Sequence, residues 1–154
     1  MNQQPDDLRE LYRELILDHA RSPRHFGRLE NATHEAAGIN PLCGDKLRLY
    51  LQVDADNCIE DTSFEGTGCA ISVASASLLT DTIIGQPVDK AEAYFETITR
   101  RLTDGEPADL DEKLEKLRAL DGVKEFPSRV KCATLAWHAL HSALNHQEEP
   151  ATTE

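Results

Sequence analysis

The sequence predicts an α+β protein in which helices cover a small antiparallel sheet of about three strands. Three observations predict it. Leu47, Leu49, Leu51 and Val53 alternate with Arg48, Tyr50 and Gln52, the period of a half-buried strand. Asp54-Ala55-Asp56-Asn57 is a turn signal, and the run 59–65 returns from it as a second strand. On both sides of this hairpin, apolar residues recur at spacings of three and four, the helical period.

The elements follow in order. A first helix starts near Pro5 and Asp6 and places Leu8, Leu11, Tyr12, Leu15 and His19 on one face. Pro23 disfavours helical geometry at Ser22, so this helix should end near Arg21. A polar stretch with Gly27, Asn31 and Gly38 follows, and a short strand near residues 35–38 would be the third of the sheet. After the hairpin, Gly66-Thr67-Gly68 breaks the second strand. Residues 70–84 read as a helix rich in Ala and Ser, whose small side chains allow close packing on a sheet. A third helix over 89–102 carries Val88, Ala91, Phe95, Ile98 and Leu102, and Gly105 and Pro107 end it. A fourth helical segment over 110–120 sets Leu110, Leu114 and Leu117 on a charged background. The last helix is expected to start near Cys132, with Ala133, Ala136, Trp137, Leu140 and Leu144 along one stripe. One domain should span residues 1–147, and the polar tail 148–154 is expected to be disordered.

Charge narrows the function. Sixteen basic residues face 28 acidic ones, a net of −12. That balance argues against a nucleic-acid binder, which must neutralise phosphates, and against binding an anionic membrane surface. No apolar run approaches the roughly 18 residues of a spanning helix. The opening MNQQPDDLRE has no basic stretch leading into an apolar one, so no secretory signal is expected and a cytoplasmic location is. Cysteines stay reduced there, so the four present read as buried thiols, ligands or nucleophiles before disulfides.

No two of the cysteines form a CxxC pair, and by spacing alone scattered thiols explain them as well as a metal does. Their contexts say more. Cys43 and Asp45 flank Gly44, which lets the backbone turn tightly enough for both side chains to converge on one ion. Cys69 follows a glycine pair and opens a helix, and Cys132 is read as opening another. Helix N-termini favour anions, so a thiol at such a position should titrate below the free value of about 8.5. Three thiolates and a carboxylate suit a tetrahedral zinc site, or a cluster with one non-thiolate ligand. Asp45 also reads as a solvated acid before a strand. Cys58, in the hairpin, reads as a small, partly buried apolar residue.

Three cysteine segments carry a resemblance. They are Asn40-Pro41-Leu42-Cys43-Gly44-Asp45, then Gly66-Thr67-Gly68-Cys69-Ala70-Ile71-Ser72, and Arg129-Val130-Lys131-Cys132-Ala133 with Trp137. With Pro23-Arg24-His25-Phe26-Gly27 near the start, they resemble the IscU/SufU family of iron–sulfur cluster biogenesis proteins over residues 8–145. The resemblance implies a small antiparallel sheet covered by helices. It implies metal ligands at Cys43, Asp45, Cys69 and Cys132. It further implies sulfur acceptance from a pyridoxal-phosphate cysteine desulfurase, with a [2Fe–2S] cluster built on the same ligands in some members.

Details resemble the SufU branch. Lys131 stands where the scaffold branch has histidine, the chaperone-docking Leu-Pro-Pro-Val-Lys motif is missing at 125–130, and the segment between Cys69 and Cys132 is long. That branch implies zinc, sulfur transfer with a SufS-type desulfurase, and downstream cluster-assembly partners. Cys43, in a glycine loop, is then the expected sulfur acceptor, and Arg129 a support for a persulfide or for Asp45. Arg21, Arg24, His25 and Arg28 form the main basic cluster, a candidate docking site for the desulfurase and equally a solvated loop. His138 and His141 are expected to be surface or packing residues. Three rival readings are a [2Fe–2S] scaffold or iron site on the same residues, a purely structural zinc module, and a cysteine hydrolase. The last lacks a convincing base.

Overall fold

A computed structural model describes residues 4–103, 112–146 and 149–153. Four strands, β1 (His34–Asn40), β2 (Asp45–Val53), β3 (Ile59–Thr67) and β4 (Ala151–Thr152), form one sheet in the order β3-β2-β1-β4. The first three are antiparallel, and β4 lies parallel to β1. Helices α1 (Gln4–Arg21), α2 (Ala70–Ile83), α3 (Val88–Thr103) and α4 (Pro127–Leu144) surround it, with a 3₁₀ helix at Glu112–Glu125. The predicted fold class holds. No helix among the described residues is long and apolar enough to cross a membrane.

Side-chain alternation sets the sheet. Leu47, Leu49 and Leu51 are buried, and Lys46 and Arg48 point to solvent. Tyr50 departs from the pattern. It lies on the outward face yet is buried, and its hydroxyl donates to the Glu65 carboxylate across the β2–β3 pair. The turn at 54–57 forms as read, with the Asp54 carboxylate accepting from Asp56 and Cys58 N–H groups. Cys58 is half-buried beside Pro87, as a small apolar residue would be.

Helix α4 packs on β1 and β2, and α2 on β3 and α4, so these two helices line the covered face. Leu135 and Ala139 of α4 are fully buried beside Gly38 of β1, and Trp137 and Leu140 are fully buried elsewhere on α4, as are Ala74, Ala76, Leu78 and Leu79 of α2. Small residues permit the close α2–α4 approach, at which the Ser75 hydroxyl donates to the Ala133 carbonyl. Helix α1 packs on α2, and its buried His19 pairs through Nδ1 with the Ser77 hydroxyl at 2.7 Å. The side chains of Leu8 and Leu11 lie outside the described residues.

Four expectations need correction. β3 does not break at Gly66 but runs to Thr67. Gly66 takes φ +148°, where a Cβ would stand 2.2 Å from the Lys46 carbonyl oxygen. The charged fourth segment is 3₁₀ rather than α-helical. Leu114, Leu117, Leu120 and Val123 are all buried and recur every three residues, which is one turn of a 3₁₀ helix. A bidentate pair from Arg101 to Asp121, at 2.8 and 2.7 Å, ties that segment to α3. Leu110 lies outside the described residues. Helix α4 begins at Pro127, five residues before Cys132, because Pro is preorganised for the first helical position. Lastly, within the tail expected to be disordered, Ala151 and Thr152 pair with Gly38 and Ile39 and cover the free edge of β1.

Candidate metal centre

The candidate ligands come from three places. Cys43 sits on the turn between β1 and β2, and Asp45 is the first residue of β2. Cys69 caps the start of α2, and Cys132 lies in the second turn of α4.

Asn40 builds the turn. Its carbonyl accepts from the N–H groups of Cys43 at 3.3 Å and Gly44 at 2.9 Å, and its side-chain Oδ1 accepts from Leu42 N–H at 3.1 Å. Gly44 takes φ +77°, a conformation open to glycine at no steric cost. Residues 41–44 are all exposed, while Asn40 and Asp45 at their base are buried. Asp45 is oriented by the backbone N–H of Cys69, which donates to Oδ1 at 2.9 Å. Gly68 makes that approach possible, since a Cβ there would stand 2.8 Å from Asp45 Oδ1.

Cys43, Asp45 and Cys132 each offer a ligand atom, and these atoms lie within 4.8 Å of one another. Cys69 joins the trio through Asp45, its Sγ 3.8 Å from Oδ2. That thiol also accepts from Ser72 N–H at 3.4 Å, so it serves as the helix cap. The Sγ atoms of Cys43 and Cys132 are 3.8 Å apart. Two thiolates bound tetrahedrally to zinc at about 2.3 Å would be about 3.8 Å apart. The donor set and spacing therefore fit a zinc ion.

Burial differs sharply within the set. Cys43 and Cys69 are exposed, and Cys132 is 4% exposed. Burial, followed by the neighbouring Asp45 and Cys69, pushes the Cys132 thiol above its ordinary value. This reverses the sequence-based expectation of a lowered value, since Cys132 is inside the helix and far from its free N–H groups. Crowded acidic groups that lack a nearby cation are what a bound metal relieves.

The other predicted residues lie apart. Arg129 is exposed on the first turn of α4, and the group that orients Asp45 is the Cys69 N–H instead. Arg24 is engaged internally. Its side chain meets Asp18 at 2.6 Å and its N–H donates to Ser77. His25 takes φ +55° and its ring lies 3.2 Å from the Thr80 hydroxyl, while Arg21 and Arg28 are exposed. This basic segment is thus stitched to α2. His141 stacks on the Phe95 ring and His138 meets that ring edge-on. Sequence reasoning missed Asn40 and Gly68 as supports. The signal for both was their adjacency to the ligand motifs.

Fold and site together define a small α+β protein with a thiolate–carboxylate candidate metal centre. The NifU-like N-terminal domain family matches residues 11–151, and the chain belongs to that family, the iron–sulfur cluster assembly proteins of the IscU/SufU type. The zinc-dependent sulfurtransferase SufU of Bacillus subtilis is 41% identical over 90% of this chain and 92% of its own. The iron–sulfur cluster assembly scaffold protein IscU of Thermotoga maritima is also 41% identical, over 91% of this chain and 96% of its own. Among solved structures, a candidate cluster-assembly scaffold protein for the SUF system of Fervidobacterium islandicum superposes with a TM-score of 0.73. It shares 36% identity and covers 85% of this chain and 94% of its own.

Proposed function

We propose that this chain is a zinc-dependent sulfur acceptor. It would take persulfide sulfur from a pyridoxal-phosphate cysteine desulfurase of the SufS type and hand it to downstream cluster-assembly proteins. One observation carries the reading: of two thiols 3.8 Å apart, one is buried in a helix and the other stands exposed on a turn.

The residues divide the work. Cys132 and Asp45 are fixed by α4 and β2, and Cys69 by its cap. Cys43 is held only by its turn, so its side chain is the one free to leave. Zinc, when bound, would keep the thiols deprotonated without oxidising them. The Cys43 thiolate attacks the outer sulfur of the partner's persulfide. That S–S bond breaks, the partner's thiolate leaves, and Cys43 retains the sulfur as its own persulfide, with no external oxidant. Arg129, exposed one helical turn before Cys132, would be the cation to steady an entering persulfide. Arg21 and Arg28, with the stitched Arg24 and His25, offer the partner a basic face. A reducing cytoplasm suits this chemistry, because free thiols persist there.

A scaffold reading, with a [2Fe–2S] cluster on the same four residues, is favoured by the equal identity to the Thermotoga scaffold. Lys131, in place of the scaffold branch's histidine, favours transfer. The deciding experiment measures alanine release by the desulfurase with and without the zinc-loaded protein. A stimulation that requires both zinc and Cys43 supports transfer. Its absence, with a cluster assembling on the chain, supports the scaffold.

A further inference from the structure

Cys43 and Cys132 stand 89 positions apart in the chain, yet the fold brings their sulfurs together, with the Cys132 thiol donating to Cys43 Sγ at 3.8 Å. All four cysteines are free thiols. A disulfide needs its sulfurs at about 2.0 Å, so closing this pair requires an advance of about 1.8 Å. Cys132 is held inside α4 and is the fixed side. Cys43 lies on the exposed turn 41–44, next to Gly44, where an added Cβ would meet nothing within 4 Å. The turn therefore has room to make the advance.

The other two cysteines are engaged differently. The Cys69 sulfur accepts from Ser72 N–H at 3.4 Å as the cap of α2, and it lies 3.8 Å from Asp45 Oδ2. Cys58 precedes the opposite end of the nine-residue β3, beside Pro87. The pair that geometry selects is Cys43 with Cys132.

We infer that Cys43 and Cys132 are a redox pair that hydrogen peroxide closes into a disulfide, and that this closure shuts the candidate metal centre. The exposed Cys43 sulfur reacts first. It attacks one peroxide oxygen, the O–O bond breaks, and one water leaves a sulfenic acid, Cys43–SOH. The Cys132 sulfur then attacks Cys43 Sγ, and the S–O bond breaks. Asp45, whose carboxylate oxygen lies within 4.8 Å of both sulfurs, takes the Cys132 proton and passes it to the departing hydroxide, which leaves as a second water. Two thiols are oxidised and one peroxide is reduced to two waters. Closure removes two of the four candidate ligands, and a thiol reductant reopens the pair by disulfide exchange. That closure also silences sulfur acceptance rests on the proposed function, whereas the disulfide and the loss of metal do not.

Hydrogen peroxide treatment of the zinc-loaded full-length protein tests this, with released zinc followed by a chromogenic chelator and the alkylated cysteines mapped by peptide mass spectrometry. One Cys43–Cys132 cross-link should form for each zinc released. The oxidised protein should bind zinc more weakly by over roughly 100-fold, beyond what disturbing the support of a ligand does, and dithiothreitol should restore the original affinity. Metal-free Cys69→Ser and Cys58→Ser should still close, and Cys43→Ser should not. The natural sequence carries the main measurement, so the test holds even if a cysteine variant fails to fold. Desulfurase stimulation by the unoxidised protein is measured separately, and its absence beside this cross-link would remove the acceptor role and leave the redox pair standing. Zinc release without the cross-link, Cys43 carried on to its sulfinic acid, or cross-links that join Cys69 or two chains would overturn the pair.

Discussion

The Cys43 and Cys132 thiols, 3.8 Å apart in the candidate centre, belong to different kinds of structure. Cys132 is buried in the second turn of α4, a helix whose inner face carries the fully buried Trp137 and Leu140. Cys43 is exposed on a four-residue turn joined to the rest of the molecule through Asn40 and the strand ends. Rigid elements place groups accurately, whereas turns can move. On the proposed reading, the centre holds a metal and also releases one ligand, which needs both kinds of support. The difference between Cys43 and Cys132 supplies them within 3.8 Å.

The largest effect should come from exchanging the two thiols one at a time. Cys43→Ser should bring desulfurase turnover down to that of the desulfurase alone. In the metal-free protein, that exposed substitution should change unfolding stability by about 0.5 kcal/mol or less. Cys132→Ala should instead cost about 1–3 kcal/mol in the same metal-free unfolding assay, because it removes a buried side chain. Equal stability losses for the two would erase the contrast.

Gly68→Ala sharpens the contrast at the rigid half. The added Cβ would press on Asp45 Oδ1 and break its bond from Cys69 N–H. Zinc affinity, measured by chelator competition, should fall by about 10–100-fold, as for other changes that disturb ligand orientation. An unchanged affinity would mean that Asp45 is not held as a ligand.

The smallest effect is one of pH and lies away from the cysteines. Burial holds the His19 imidazole below its ordinary 6.5, and it does the same for His138. Below pH 6.5 the unfolded chain therefore binds more protons than the folded one. Their stabilising contribution is complete above 6.5 and is lost as the pH falls from there through the lowered folded values. His19→Gln should flatten this acid limb, by less than one proton, in denaturant unfolding followed across it. An unchanged slope would show that His19 is not part of the acid response.

Much of the candidate site was legible because the candidate ligands sit in short motifs with a local cause. The Gly66-Thr67-Gly68-Cys69 run announced both a strand end and a capped helix, and the structure places Cys69 as the cap. Gly44 announced a tight turn for the same kind of reason. Cys132 was misplaced because the start of α4 was read from the cysteine rather than from Pro127, and an inverted expectation for its thiol followed from that. The 3₁₀ helix was missed because Leu110, Leu114 and Leu117 were read at α-helical spacing. The buried set, Leu114, Leu117, Leu120 and Val123, keeps a strict period of three. β4 left no local signal. Two residues in a polar tail become a strand only because β1 offers an edge more than 100 positions earlier. Asn40 looked like part of a motif, and its buried side chain became evident only with the fold.

The most direct measurement of the central claim is intact-mass and peptide mapping of the zinc-loaded protein after one round of desulfurase turnover with cysteine, without reductant. The account predicts one additional sulfur atom, on the peptide that contains Cys43, and none on those of Cys69 or Cys132. Sulfur on either of those cysteines instead, or no added sulfur while the desulfurase turns over, would contradict it.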